Sequence, residues 1–406
     1  MKKDFIPYEE SISILKSLHV KPKTTKKVAL PDSLGYTLAF DIVAQKNDPE
    51  FPTASMDGYA IKYEDQRIGS LEVLGDNPAG NDEQREIKNG ECIKTFTGSK
   101  MPAGSDTLIP IENVTCKDDF IIIDESVEKG FAVRPIGEGY KQGEILIEKG
   151  TKIGFVELGV MAALGIVMVD VIIPPKVAVL ATGSEILDLG ECSNNSAAIR
   201  SSNNYTIEAL CKNAGAEVFQ MGTVKDDKAS ILADFTNAVE ASDIVISTGG
   251  VSVGDYDFVK DIVPELGFEV VFKGVAIKPG RHILVAQKQN KFILALPGFA
   301  YSSTVTAILY ALPLIAKMLG RKKAYTIVEA KLKEDFKKRT PFSEFRACNI
   351  EVVDGQYYCD FEGKKVGSSA ILINMLNDAA LMMAGVEDSE LPKGTMVRVI
   401  LLEGLK

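Results

Sequence analysis

Between Lys176 and Gly320, short apolar runs alternate with stretches whose apolar residues recur at helical spacing. "KVAVLATG", "EVFQMGTV", "DIVISTGG" and "FILALPG" predict buried strands, and "NNYTIEALCKNAG", "KASILADFTNAVE", "DYDFVKDIVPELG" and "STVTAILYALPLIAKMLG" predict helices. Such alternation predicts a three-layer α/β domain with a mostly parallel sheet. The rhythm differs on both sides of it. "YEESISILKSL" near the N-terminus predicts an amphipathic helix, whereas the segment from Pro49 to Pro135 breaks into short β-rich runs ("SLEVLG", "ECIKTFTG", "DTLIPI", "FIIIDESV") separated by Gly, Asn, Asp and Pro. "GEILIEKGTKIGFVELGVMAALG" then leads through turns into a helix, and "VDVIIPP" closes the region. Pairing it with the N-terminal segment makes the β-rich part an insertion. After Arg321, "TIVEAKL", "ACNIEVVDG", "QYYCDF" and "TMVRVILLEG" predict a small C-terminal β domain. The expected class is therefore multidomain α/β, with a framework domain (1–48 and 138–172), an inserted β-rich domain (49–137), the α/β domain (173–320) and a C-terminal β domain (321–406).

Composition narrows the chemistry. A chain of 406 residues that is 46% hydrophobic can bury several cores, and its formal charge of −10 argues against non-specific binding of nucleic acid or anionic membranes. The longest clean apolar run, "LGVMAALGIVMV", is shorter than the ~20 residues needed to span a bilayer. The N-terminus "MKKDFIPYEE" lacks the apolar stretch of a secretory signal, so a cytoplasmic protein is expected. Six scattered cysteines without a C-x-x-C pair predict reduced, structural thiols. Only His19 and His282 are present, and both read as ordinary surface or loop histidines, which leaves carboxylates, basic side chains, hydroxyls and backbone amides to carry the chemistry.

In an open α/β sheet, ligands bind beyond the C-terminal ends of the strands. Those ends carry "ATGSE", "TVKDD", "STGGVSVGDYD" and "LPG". The loop with Gly249, Gly250, Ser252 and Gly254 suits a phosphate, because glycines let backbone N–H groups approach an anion at a helix N-terminus. Its acids, Asp255 and Asp257, would repel that anion unless a hard cation lay between them, and Mg2+ typically combines one or two carboxylates with phosphate oxygens. A plain βα turn with Asp255 as N-cap is the structural alternative. "VFKGVAIKPGRHILVA" concentrates Lys273, Lys278 and Arg281 beside Pro279, either as an oxyanion site or as a solvated basic turn. In "PEFPTASMDGYAIK" two prolines stiffen the approach to Asp57, and in "TFTGSKMPAGSDTLIPIE" Thr97 could meet a phosphate or cap a strand end.

Taken in order and spacing, "SMDGYA", "TGSKMPAGSDTLIPIE", "ATGSE", "STGGVSVGDYD", "AIKPG" and "LPG" resemble the molybdopterin molybdotransferase family of molybdenum-cofactor biosynthesis, related to the E domain of gephyrin. The resemblance covers essentially the whole chain. It implies a four-domain, elongated homodimer that inserts molybdate into adenylylated molybdopterin and releases AMP, with Mg2+ as the metal. By resemblance Asp57, Thr97, Glu185, Asp226, Asp257 and Lys278 are catalytic, and Glu185, Asp226 and Asp257 hold the metal. Gly249, Gly250, Ser252, Gly254, Lys273, Pro279 and Pro297 bind substrate, and Ser302, Arg346 and Ser368 surround molybdate. The molybdopterin adenylyltransferase and cofactor-accepting molybdoenzymes are the further partners it suggests.

Two departures stand out. "PGFAYSS" replaces the family's P-G-N-P-V-S, with Phe299 and Ala300 at the altered positions, and "KPGRH" replaces K-P-G-K-P, with Arg281 keeping the charge. Tungstate cannot be separated from molybdate by sequence. A related adenylyltransferase would lack the "MDGYA" and "TGSKMP" module, and a non-catalytic scaffold is the alternative from a different class.

Overall fold

A computed structural model describes residues 5–83, 85–224, 227–250, 259–402 and 404. The chain divides into two compact units, one of residues up to Phe40 and from Lys149 onward, the other Asp41–Glu148.

In the first unit, helix α1 (Tyr8–Ser17) precedes a three-stranded framework sheet in which Met168–Ile172 lies between Thr25–Ala29 and Thr37–Leu38. Leu38 donates its N–H to the Thr151 carbonyl at 2.9 Å and accepts from the Gly150 N–H at 2.8 Å, so the chain segments flanking the second unit are paired neighbours. Helix α2 (Phe155–Ala163) starts where the Glu157 carboxylate accepts the Gly154 N–H at 2.9 Å, a partner for one of the N–H groups that a helix start leaves over.

The α/β domain follows, with strands in the spatial order Glu217–Val224, Lys176–Thr182, Ile244–Thr248, Lys291–Leu296, Leu284–Lys288 and Glu269–Lys273. The first four run parallel and the last two are antiparallel additions. Successive side chains of a strand point to opposite faces. Val177, Val179, Ile244, Ile246 and Leu294 therefore enter one core, against α3 (Asn203–Asn213), while Ala178, Leu180, Val245, Ile293 and Ala295 enter another, against α4 (Lys228–Ala241) and α5 (Val259–Glu265). Strands buried on both faces account for their unbroken apolar sequence. The first core also takes α6 (Ala300–Thr306) and α7 (Leu312–Met318), joined by a π-helical turn at Ala307–Ala311. Pro313 lies in the first turn of α7, where its missing N–H and ring would disturb an uninterrupted α-helix, and the wider turn lies directly before it.

The C-terminal domain is a closed barrel: Ser343–Val353, Gln356–Asp360, Ile327–Leu332, Met396–Leu401 and Ala379–Ala384 pair in that order, and the last returns to the first. Closure removes the exposed edges that an open sheet must protect. The short strand Ile277–Lys278 adds to it in parallel, with Lys278 opposite Glu344.

The second unit holds a curled six-stranded sheet ordered Thr107–Pro110, Gly58–Ile61, Glu91–Thr95, Ser70–Asn77, Phe120–Ile123 and Val114–Lys117. Two short ladders complete it, Thr53–Ala54 with Val133–Arg134 and Ile42–Val43 with Ile145–Ile147. All six cysteines are free thiols; Cys92, Cys211, Cys348 and Cys359 are buried and Cys116 and Cys192 are exposed. Among the described residues no helix is long and apolar enough to cross a membrane.

Candidate functional site

The parallel strands deliver Thr182, Val224, Thr248 and Leu296 to the same edge, where βα loops must turn away from the sheet. Gly249 follows Thr248 with φ 91°, and a Cβ there would lie 2.7 Å from the Thr182 carbonyl oxygen. Gly250 has φ 67°, and its Cβ would meet Thr182 Oγ1 at 3.0 Å. Both positions need glycine for conformation and for space. The Gly249 N–H donates to the Leu296 carbonyl at 3.0 Å, which ties this turn to the neighbouring Pro297–Gly298 turn.

These turns face a cleft of about 710 Å3 whose lining includes Gly183, Glu185, Gly249, Gly250, Pro297 and Phe299. The start of α3 supplies the opposite wall through Ser202 and Asn203, and Asn203 Nδ2 donates to the Gly298 carbonyl at 2.7 Å. Helix N-termini present unsatisfied N–H groups and positive potential, so the wall favours an anion. Ser201 also lines the cleft; its hydroxyl is buried and has no hydrogen-bond partner, as expected of a group that a ligand would satisfy. Arg200 is the cationic side chain among the described lining residues, and His282 adds an imidazole. Arg200 Nη1 donates to the Asp188 carbonyl at 3.3 Å and to the Glu191 carbonyl. Asp188 itself accepts from the Tyr205 hydroxyl at 2.6 Å and is held below the ordinary carboxylate range by that bond and by the Leu189 N–H.

The expected site residues divide into groups. Glu185, Gly249, Gly250 and Pro297 line the cleft, whereas Asp226, Ser252, Gly254 and Asp257, together with the expected Asp255 cap, lie outside the described residues. Glu185 is exposed, and its backbone carbonyl accepts the Ile199 N–H at 2.9 Å, leaving the carboxylate as a hard oxygen donor at the cleft. Among the described residues, no three His, Cys, Asp or Glu side chains are grouped to hold a metal.

Lys278 and Pro279 lead into a glycine turn that packs beside the start of α6. Gly280 (φ 94°) packs on Thr306, and its Cβ would lie 3.5 Å from the Ser302 carbonyl oxygen. Ser302 is buried, and its N–H donates to the Ser369 carbonyl at 3.1 Å, bringing the loop of exposed Ser368 to the start of α6. Opposite Lys278 in the barrel strand is Glu344, only 3% exposed, with Oε1 3.6 Å from Arg346 Nη1 and Oε2 without a hydrogen-bond partner. The Arg346 guanidinium also lies 5.6 Å from the Phe361 ring centroid, in a separate cleft of about 620 Å3 shared with Lys338 and Lys364. Lys273 is exposed at the end of its strand.

Asp57 and Thr97, in the second unit, form a direct pair. The Thr97 N–H and hydroxyl both donate to Asp57 Oδ1, each at 2.8 Å.

His282 lies in a loop, as expected, directly after the Lys278–Gly280 turn; it lines the cleft with its ring edge-on to Phe5, centroids 5.5 Å apart. Arg281, adjacent to it, is held over the Phe342 ring at 5.4 Å. Arg200, in the short strand Ile199–Arg200, and Ser201 and Asn203 at the approach to α3 also line the cleft, in a stretch with no glycine or charge cluster to mark it.

A glycine-lined cleft at the strand ends of an α/β sheet, carried in one chain with a β-rich module and a C-terminal barrel, defines a multidomain α/β protein with its cleft where open α/β sheets bind ligands. Residues 6–165 match the MoeA N-terminal region (domain I and II), and residues 178–317 match a probable molybdopterin binding domain. The molybdopterin molybdenumtransferase of Staphylococcus aureus is 34% identical over 352 residues, covering 85% of this chain and 83% of that protein. The Staphylococcus epidermidis enzyme of the same name is 31% identical over 409 residues, covering 99% and 97%. The crystal structure of the molybdopterin biosynthesis moeA protein from Pyrococcus horikoshii superposes with a TM-score of 0.83 at 28% identity, covering 98% of this chain and 100% of that one. The chain belongs to the MoeA family of molybdopterin molybdenumtransferases, transferases of molybdenum-cofactor biosynthesis.

Proposed function

We propose that this protein inserts molybdenum from molybdate into adenylylated molybdopterin and releases AMP. The observation that carries the reading is the cleft in which the Gly249–Gly250 turn faces the start of α3, with the unpartnered Ser201 hydroxyl between strand ends and helix. Backbone amides and a helix N-terminus suit the phosphates of a nucleotide-linked substrate. Arg200 adds positive charge to the same cleft.

Mg2+ fits the Glu185 carboxylate as a hard oxygen ligand, with Asp226 and Asp257 as the other proposed ligands. When bound, the ion would neutralise phosphate charge and polarise the phosphoryl group. The oxyanion is assigned to Lys278, Ser302, Arg346 and Ser368, whose lysine and arginine would offset a dianion in an otherwise acidic chain. Asp57, fixed by Thr97, is assigned to the reaction as an ionised carboxylate. The protein is read as a cytoplasmic homodimer that receives its substrate from the molybdopterin adenylyltransferase and serves cofactor-accepting molybdoenzymes.

The test is AMP release from adenylylated molybdopterin with molybdate and Mg2+. Wild-type protein is expected to release AMP in proportion to the molybdenum inserted, and Glu185→Gln to lose most of that turnover while retaining its fold. Tight binding of the adenylylated pterin without AMP release would instead identify a scaffold, and release supported only by tungstate would reassign the oxyanion.

A further inference from the structure

We propose that Phe299 is a specificity residue of the strand-end cleft, the face on which a planar nitrogen heterocycle of the substrate, adenine or pterin, stacks. The inference rests on the reading of that cleft as the place of a nucleotide-linked substrate, and adds to it the side chain that selects the ring.

Phe299 stands next to the turn suited to phosphate. A Cβ on Gly298 would lie 3.8 Å from the Gly249 Cα, so the Pro297–Gly298 turn packs directly on the Gly249–Gly250 turn. Phe299 is the following residue, one trans peptide and thus ~3.8 Å between Cα atoms further on. Its backbone is held on both sides: the Gly298 carbonyl accepts Asn203 Nδ2 at 2.7 Å, and the Phe299 carbonyl accepts the Ser303 N–H at 2.9 Å. The side chain therefore projects from a fixed base, within one sugar's reach of a phosphate on the glycine turn.

The ring lines the cleft and is 61% exposed. A phenyl group in that position gains from a flat partner, both through the apolar area removed from water and through offset stacking. Ile186 and Ile199, register partners in a short parallel ladder, line the same cleft, and Ile199 is 54% exposed. Apolar side chains thus stand beside backbone amides, the combination that a ligand with a flat body and an anionic end requires. The cleft volume of about 710 Å3 lies within the roughly 300–1,000 Å3 of small-molecule sites. Phe299 also occupies the position at which the family pattern reads asparagine. An amide recognises the edge of a ring through hydrogen bonds, whereas a phenyl group recognises its face, so the exchange makes ring stacking a property of this chain.

The probes are AMP, neopterin monophosphate and ribose 5-phosphate, the last of which keeps sugar and phosphate but carries no base, and affinities for the full-length protein are read by calorimetry. Phe299→Ala is expected to weaken at least one ring-bearing probe at least about fivefold, as loss of one stacking side chain implies, and to leave ribose 5-phosphate unchanged. Phe299→Tyr should restore the affinity. A loss confined to AMP assigns the ring as adenine, and one confined to neopterin monophosphate assigns it as pterin. The chain contains no tryptophan, so Phe299→Trp introduces a single fluorescent reporter that the stacked probe should quench and ribose 5-phosphate should not. Unchanged affinity for both ring-bearing probes in Phe299→Ala would overturn the proposal, as would an equal loss of ribose 5-phosphate or no binding of either ring-bearing probe to the unaltered protein. AMP release by the unaltered protein together with unchanged ring binding in Phe299→Ala removes the stacking face alone, whereas ring-selective loss without AMP release removes the catalytic reading alone.

Discussion

Thr97 places two donors on one oxygen of Asp57: its N–H and its hydroxyl each lie 2.8 Å from Oδ1. The backbone bond, followed by the hydroxyl bond, holds the carboxyl below its ordinary range although the side chain is exposed. A carboxyl depressed in the folded state adds stability above its unfolded value, and that stability disappears as pH falls through the depressed value. Thr97→Val keeps the N–H and removes the hydroxyl. The Asp57 carboxyl should then titrate at higher pH, and the acid limb of the stability curve should flatten. A carboxyl carbon NMR titration reads the first effect; an unmoved midpoint would show that the hydroxyl contributes nothing.

Gly249→Ala tests the cleft's turn. The new Cβ would combine a left-handed backbone with a 2.7 Å approach to the Thr182 carbonyl, and a loss of about 1–3 kcal/mol in unfolding free energy is expected. Gly222→Ala is the comparison, since φ is 81° there but nothing lies within 4 Å of the added carbon. Its loss should stay near about 1 kcal/mol, the strain of the backbone alone. Denaturant unfolding of both variants compares them, and equal losses would show that the approach to Thr182 relaxes freely.

Tyr301 anchors the start of α6 to the barrel. Its hydroxyl donates to the Phe345 carbonyl at 2.9 Å and accepts the Ala347 N–H at 2.8 Å, all within the buried interior. Tyr301→Phe removes a partner from each backbone group without changing the ring, and should destabilise the protein by about 1–3 kcal/mol. A loss below about 0.5 kcal/mol would mean that the strand re-pairs or that water enters.

Lys278→Ala and Arg346→Lys separate the proposed oxyanion contacts from those to the pterin. Lys278→Ala should raise the molybdate concentration giving half-maximal AMP release by more than it weakens binding of the adenylylated pterin. Arg346→Lys keeps the charge but loses the planar fork beside Phe361 and Glu344, and at least about a tenfold rise in half-saturation is expected. If Lys278→Ala weakens the pterin and leaves molybdate half-saturation unchanged, the lysine serves the phosphates.

Leu34, Phe155, Val156, Val167 and Met168 leave apolar side chains exposed around the framework sheet, with Phe155 at 85% and Val167 at 74%. Such a surface is suited to self-association by two-fold symmetry. Phe155→Glu with Val167→Glu should convert a dimer into a monomer in analytical ultracentrifugation at micromolar concentration. A wild-type monomer under those conditions would rule out the dimer.

The α/β domain was legible because its strands are buried on both faces and are separated by helices long enough to show their period. Ala379–Ala384 was not: "AALMMA" consists of good helix formers, yet it forms the strand that closes the barrel between Ser343–Val353 and Met396–Leu401. Burial and pairing outweigh local preference there. At the cleft, glycine spacing marked the Gly249–Gly250 turn; in the other unit Asp57 and Thr97 were each marked by their turn residues, but their hydrogen bonds to one another were not legible. Ser201 and His282 carry no such mark, because a hydroxyl's missing partner and a residue's place in a cleft arise only when separate segments fold together. Glu344 was equally hidden, as nothing in its neighbourhood signals a carboxylate buried opposite Lys278.

The hydrogen bonds between Leu38 and the Gly150–Thr151 segment have an evolutionary consequence. Chain that departs and returns through bonded neighbours can lengthen, shorten or be exchanged while its anchorage stays fixed, since closure entropy grows only with the logarithm of the excursion's length. The framework thus acts as an interchangeable mount: descendants can retain the α/β machinery and remodel the Asp41–Glu148 module by insertion or deletion.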